Sequence, residues 1–220
     1  MIDLIIFDLD GVLVDTEQLH YDSLMYSISM VTTLPTRNIE TVIHQDGTTT
    51  KAKLKILQKT FGTSNNDLQE IDKRKQQLVL QNLRKLEPNK DQIDMLRNLE
   101  LLIPCLAIGS NSRKENVDTI LDVLEIREFF SFVVTSDDVK YGKPNPEIFN
   151  KIIDMAGCKS KNTLILEDSV AGKEAALASG AHLLPINNIE ETTLENIQHA
   201  LYKHDSTYSS ADGRTRFPVR

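Results

Sequence analysis

Two aspartates stand one residue apart in Asp8-Leu9-Asp10-Gly11, directly after a short apolar run over residues 3–7. Strand alternation would send both carboxylates to the same side of the chain, and their mutual repulsion asks for a cation. Gly11 permits a sharp turn immediately afterwards. A second acidic pair, Glu167-Asp168, follows another apolar run, residues 163–166. If both runs are strands of one parallel sheet, both pairs leave it at the carboxyl edge, where open α/β sheets bind their ligands. Three or four carboxylates converging there make a hard, oxygen-rich site suited to Mg²⁺. Each fragment also has a plain reading. Asp-Gly is a common turn, and Glu167-Asp168 can simply precede a helix as its cap.

Two further groups complete a set. Ser110 ends the run over residues 103–108 through Gly109, and Asn111-Ser112 is expected to open the next helix. A hydroxyl and backbone N–H groups at a helix start can hold a phosphoryl oxygen, or can serve as an ordinary N-cap. Lys143 lies in Gly142-Lys143-Pro144-Asn145-Pro146-Glu147, where two prolines stiffen the loop before a helix. Most lysines are merely solvated, and the order of the four elements is what decides. Nucleophile, metal ligands, oxyanion donors and a fixed cation are the parts that phosphoryl transfer requires.

The elements that must position these groups are visible in the apolar pattern. Five runs, over residues 3–7, 103–108, 132–135, 163–166 and 182–186, read as strands buried on both faces. Helical patterns lie between them at Arg113 to Glu125, Pro146 to Met155 and Ala171 to Ser179, the last stopped by Gly180. That alternation implies right-handed crossovers and an α/β fold with a doubly wound, Rossmann-like parallel sheet. Residues 17–86 break the rhythm with helical patterns alone. The expected organisation is an α/β catalytic core over 1–16 and 87–202, an inserted helical cap over 17–86 and a polar C-terminal tail over 203–220.

The chain has 220 residues, 40 % hydrophobic and 26 % charged, enough to bury a substantial core. Its net charge of −7 argues against nucleic acid as a partner. The same field repels a phosphorylated metabolite, so a site for one needs local cations. Cys105 and Cys158 show no metal-ligand spacing and read as buried thiols of a reducing compartment. No secretory leader is visible, and no apolar run approaches the roughly 18 residues that span a bilayer. The expectation is a soluble, cytoplasmic protein without a membrane partner, a monomer or weak homodimer.

Taken in order, Asp8-Leu9-Asp10-Gly11-Val12, Ser110, Lys143 in Gly-Lys-Pro-x-Pro-Glu, and Glu167-Asp168-Ser169 resemble the four motifs of the haloacid dehalogenase superfamily. The resemblance extends over about residues 2–187. It implies that Asp8 attacks phosphorus and becomes an aspartyl phosphate. Asp10 would protonate the leaving oxygen and then activate water. It implies Mg²⁺ held by Asp8, the Asp10 carbonyl and Asp168, with Glu167 as a ligand or just behind one. Ser110, Asn111 and Lys143 would receive the phosphoryl oxygens. An acid at position 10 argues against the halide-removing branch.

Within that superfamily the chain is similar to the subgroup of β-phosphoglucomutase and small sugar phosphatases. Thr16-Glu17-x-Leu19-His20 resembles its hinge, where a histidine contributes to cap closure and acid–base poise. Gly47-Thr48-Thr49 resembles its cap loop, and Lys73-Arg74-Lys75 a basic cap segment that can face the substrate. Thr16, His20, Gly47, Thr50 and Lys75 are therefore candidate cap or substrate contacts. In the plain reading His20 packs on a helix and the basic run is a solvated face. Thr50 stands where the mutase has a phosphate-gripping arginine, with Lys51 and Lys53 nearby. Lys173, beside Gly172, replaces a commonly apolar residue. Loss of the arginine favours hydrolysis. The expected function is a Mg²⁺-dependent phosphatase acting on a small phosphorylated metabolite such as a sugar phosphate. A phosphosugar mutase and, more remotely, a receiver-type phosphoacceptor module remain alternatives.

Overall fold

The structure is a computed structural model that describes residues 1–43 and 49–204. Its described residues build a parallel sheet of five strands, β1 (Leu4–Phe7), β2 (Cys105–Gly109), β3 (Phe132–Val134), β4 (Thr163–Glu167) and β5 (His182–Pro185), in the order β3-β2-β1-β4-β5. β1 is central. Its Phe7 pairs with Ile108 on one side and Leu166 on the other. Asp8 continues the ladder by donating its N–H to the Leu166 carbonyl at 2.9 Å. Asp8, Ser110 and Glu167 therefore leave adjacent strands at nearly the same level.

Every residue of β1 is buried, as expected of a strand covered on both faces. Alternation divides it between two cores. Ile5 and Phe7 join one with Leu96, Leu121 and Leu201, and Leu4 and Ile6 join the other with Phe149, Ile152 and Ala176. The first core is backed by α5 (Lys90–Leu102), α6 (Lys114–Val123) and α9 (Leu194–His204), and the second by α7 (Glu147–Met155) and α8 (Val170–Ala178). One strand boundary differs from the sequence reading. Ile103 closes α5, donating its N–H to the Leu99 carbonyl, and Pro104 separates it from β2. Proline has no N–H for a central ladder, which delays the strand to Cys105.

Between β1 and β2 the described chain is helical, with α1 (Glu17–Val31), α2 (Thr36–Ile43), α3 (Thr50–Phe61) and α4 (Asn65–Leu83). These helices have their own apolar cluster of Leu24, Ile28, Ile39, Leu57 and Ile71. α4 also packs against α6 of the sheet layer. α9 continues through Lys203 and His204, so the first two residues of the expected tail are helical. The rest of that tail lies outside the described residues. Cys105 and Cys158 are free thiols. No described helix is long and apolar enough to cross a membrane.

Candidate active site

The carboxyl edge of the sheet opens into a cleft of about 1170 Å³, whose lining includes Asp8, Asp10, Ser110, Lys143 and Asp168. Asp8 is only 6 % exposed and accepts from Lys143 Nζ at 2.7 Å through Oδ1. The same ammonium donates to Glu167 Oε2 at 2.6 Å and stands 4.9 Å above the Phe149 ring. Burial alone would strip Lys143 of its proton, but the Asp8 and Glu167 charges outweigh it and raise its pKa. Asp8 behaves in the opposite sense. Burial, then the Glu167 charge, push it well above the usual carboxylate range, and Lys143 only partly offsets them.

Asn111 holds the lysine loop in place. Its Oδ1 accepts from Lys143 N at 2.9 Å and its Nδ2 donates to the Lys143 carbonyl at 3.2 Å. The side chain that the motif reading assigned to phosphate thus braces the peptide of the cation. Ser110 Oγ is buried at the edge and accepts from Ser112 N at 3.0 Å. The helix expected to open at Asn111-Ser112 starts later, at Lys114, and a distant group bonds its first N–H. Asp137 Oδ2 accepts from Lys114 N at 2.9 Å.

Asp10 faces a different set of donors. Ser112 Oγ donates to its Oδ2 at 2.6 Å, the fully buried Thr16 hydroxyl donates to Oδ1, and His20 Nε2 lies 3.6 Å from that same oxygen. The last separation is longer than a hydrogen bond. Burial would raise the Asp10 pKa, but His20, Ser112 and Thr16 together hold it far below the usual carboxylate range. Behind His20 stands Lys75, 7 % exposed. Its Nζ is 3.2 Å from His20 Nδ1 and donates to Thr50 Oγ1 at 2.7 Å. As a donor, Lys75 makes Nδ1 the acceptor and leaves the ring hydrogen on Nε2, facing Asp10. Burial, then the nearby Arg113 and Lys53 charges, lower Lys75 to about 8.

Asp8, Glu167 and Asp168 bring oxygens within 4.8 Å of one another. The Asp168 Oδ1 is buried with no hydrogen-bond partner, and burial together with the Glu167 charge raise this acid to about 7. Two buried acids and a half-buried third against a single ammonium leave a negative deficit, and an orphaned carboxylate oxygen suits a cation. The donor set is all carboxylate, which fits Mg²⁺. The Asp10 carboxylate is outside this group, being engaged by Thr16 and Ser112. Gly11, at φ 85°, allows the close approach: a Cβ there would meet Asp168 Oδ2 at 2.0 Å.

Of the basic run 73–75, only Lys75 reaches the cleft. Lys73 is exposed, and Arg74 pairs on the surface with Glu70 at 2.6 Å. Gly47 lies outside the described residues. Lys173 donates to the Ile186 carbonyl at 3.2 Å, tying α8 to the end of β5. The motif reading had missed the polar edge of α4. Asp72 takes both bonds of an Arg113 clamp at 2.6 and 2.7 Å, and Gln76 Nε2 donates to Asn116 Oδ1 at 2.7 Å. The spacing 72, 75, 76 is one helical face, a signal available in the sequence once α4 is phased.

The family model for haloacid dehalogenase-like hydrolases matches residues 5–186. A phosphorylated carbohydrates phosphatase of Thermotoga maritima is 26 % identical over 180 residues, 80 % of this chain and 81 % of that protein. A fructose-1-phosphate phosphatase of Escherichia coli is 26 % identical over 188 residues, 80 % of this chain and 92 % of that protein. In fold, the chain is similar to a β-phosphoglucomutase structure from Clostridium difficile at 21 % identity, with a TM-score of 0.75 over 93 % of this chain and 99 % of that one. The family match begins inside β1 and ends just past β5, taking in the whole sheet and its carboxyl edge, and the chain therefore belongs to the haloacid dehalogenase-like hydrolases.

Proposed function

We propose that the protein is a Mg²⁺-dependent phosphatase that hydrolyses a small phosphorylated metabolite, a sugar phosphate or a close chemical relative, through a phosphoryl group carried on Asp8. The observation that carries this reading is the division of labour between two neighbouring acids. Asp8 is paired with Lys143 at 2.7 Å beside the Asp168 oxygen, while Asp10 is held apart by Thr16, Ser112 and His20. Relatives named for phosphorylated sugars support the substrate class.

In the first step an Asp8 oxygen bonds to phosphorus as the bond to the ester oxygen breaks. Asp10 supplies the proton that the leaving alkoxide needs. Asp10 is ionised in the resting site, and the negative charge of an entering phosphoryl group raises its affinity for that proton. In the second step Asp10 takes a proton from water, which attacks phosphorus and releases Asp8 and inorganic phosphate. Lys143 neutralises Asp8 and the phosphoryl oxygens throughout, Ser110 offers them a donor, and Asn111 keeps the lysine loop from drifting. Asp8 and Asp168, with the Asp10 carbonyl and with Glu167 alongside, would hold Mg²⁺, which would supply positive charge for the phosphoryl oxygens. In this reading residues 17–86 form a cap over a core of 1–16 and 87–202, with Lys75 and His20 as its link to Asp10.

A panel of phosphomonoesters assayed with Mg²⁺ tests the proposal. Phosphate release from sugar phosphates, abolished by chelation, is expected; no release from any member contradicts it. The Lys75–His20 contact gives a phosphosugar mutase some support as a second reading. Isomer interconversion primed by a bisphosphate, with little phosphate released, would favour the mutase.

A further inference from the structure

Gly172, in the first turn of α8, has no room for a side chain. A Cβ there would lie 1.9 Å from Glu167 Cδ and 2.1 and 2.2 Å from the two carboxylate oxygens. Its backbone is helical, so space rather than conformational freedom explains the glycine. The space is filled because the fully buried Glu167 carboxylate folds back over the start of the helix. Ser169 works in two directions there. Its Oγ accepts from Gly172 N at 3.0 Å, capping α8, and donates to Glu167 Oε1 at 2.9 Å, while its own N–H adds a third bond at 3.1 Å. The N–H groups and dipole of a helix start favour a negative charge at that place. The other oxygen, Oε2, accepts from Lys143 at 2.6 Å, and Lys143 reaches on to Asp8 at 2.7 Å. Contact is thus continuous from the helix backbone to the proposed nucleophile.

We propose that Gly172 and Ser169 are positioning residues for the Asp8 site. The first turn of α8 seats the Glu167 carboxylate, and that seat fixes Lys143 between two acids and sets the charge beside Asp168. The catalytic meaning of the seat rests on the proposed function, whereas its effect on Mg²⁺ affinity does not. A side chain at position 172 pushes the carboxylate out. Shortening the acid by one methylene draws it back and relieves the clash.

The test is a double-mutant cycle of Gly172→Ala and Glu167→Asp in the full chain, read by calorimetric titration with Mg²⁺ alone. Each single variant is expected to weaken Mg²⁺ binding about 10–100-fold, as partners behind metal ligands do. The double variant should fall short of the product of the two losses by about 10-fold, because the shorter acid rescues the crowded seat. A glycine needed only for helix packing gives losses that multiply, and that result overturns the proposal. If Gly172→Ala does not fold, folded Ser169→Ala decides: a 3–10-fold weaker affinity, on the order of a lost hydrogen bond, supports the seat, and unchanged affinity overturns it. An inactive wild-type enzyme would sink the proposed reaction alone, since the titration needs no substrate.

Discussion

Arg113 of the sheet layer grips Asp72 of the helical insert with two bonds from one nitrogen, at 2.6 and 2.7 Å, and the pair sits beside Lys75. Arg113 depresses the affinity of Lys75 for its proton, and Asp72 restores part of it. Asp72→Asn leaves the guanidinium uncompensated. The Lys75 pKa should fall further below about 8, and the alkaline limb of the rate profile should move to lower pH. The check is kcat/KM from pH 6 to 9.5; an unmoved limb would separate Lys75 from the chemistry.

Lys75 also ties stability to pH. Its folded value of about 8 lies below the ordinary 10.5, so below about 8 both states carry the proton and burial of the charge counts fully against folding. Between about 8 and 10.5 the unfolded chain binds more protons, so this contribution makes stability rise with pH. The difference corresponds to roughly 3 kcal/mol at most. Lys75→Met should be more stable than wild type at pH 7 and lose that rise, while hydrolysis slows. Urea unfolding at pH 7, 9 and 10 is the measurement.

Lys143→Met leaves Asp8 and Glu167 buried without their shared cation. Breaking such a group costs about 3–5 kcal/mol. Loss of turnover should accompany a lower urea midpoint, and added Mg²⁺ should recover part of the stability by binding the folded state. Equal midpoints with and without Mg²⁺ would argue against a metal at these acids.

Asp8→Asn removes the proposed nucleophile and should abolish turnover. Asp10→Asn removes only the proton carrier and should slow turnover about 10²–10⁴-fold. With a substrate whose leaving group needs no proton, it should accumulate a phosphorylated protein that intact-mass spectrometry detects. An unchanged rate in either variant contradicts the assignment.

The sheet was legible because its strands are short apolar runs that stop at acids, serines or prolines, and the edge groups follow from where those runs end. Asp8, Asp10, Ser110, Glu167 and Asp168 are named from where those runs end, and Lys143 from a proline-stiffened loop before a helix, with the order of the elements deciding. Residues that act through helix phase or through a distant loop were harder to find. Lys75 is named with the basic run 73–75, and that it alone of the three reaches the cleft follows from the phase of α4. Ser112 precedes the helix that starts at Lys114, and its bond to Asp10 crosses to a loop more than a hundred residues earlier. Asn111 stands in the stretch assigned to phosphate from the sequence, yet what its side chain does depends on a loop 32 residues away.

The central place of β1 also governs how the protein is made. Its neighbours are residues 105–108 and 163–166, so β1 gains its first partner only with β2 and its second only with β4, both long after its own synthesis. At usual elongation speeds, about 10–30 s pass before both edges of this apolar strand are covered. Asp8 meets Glu167 only once β4 has emerged, so a chain cut short before β4 lacks two of the three acids that converge at the carboxyl edge.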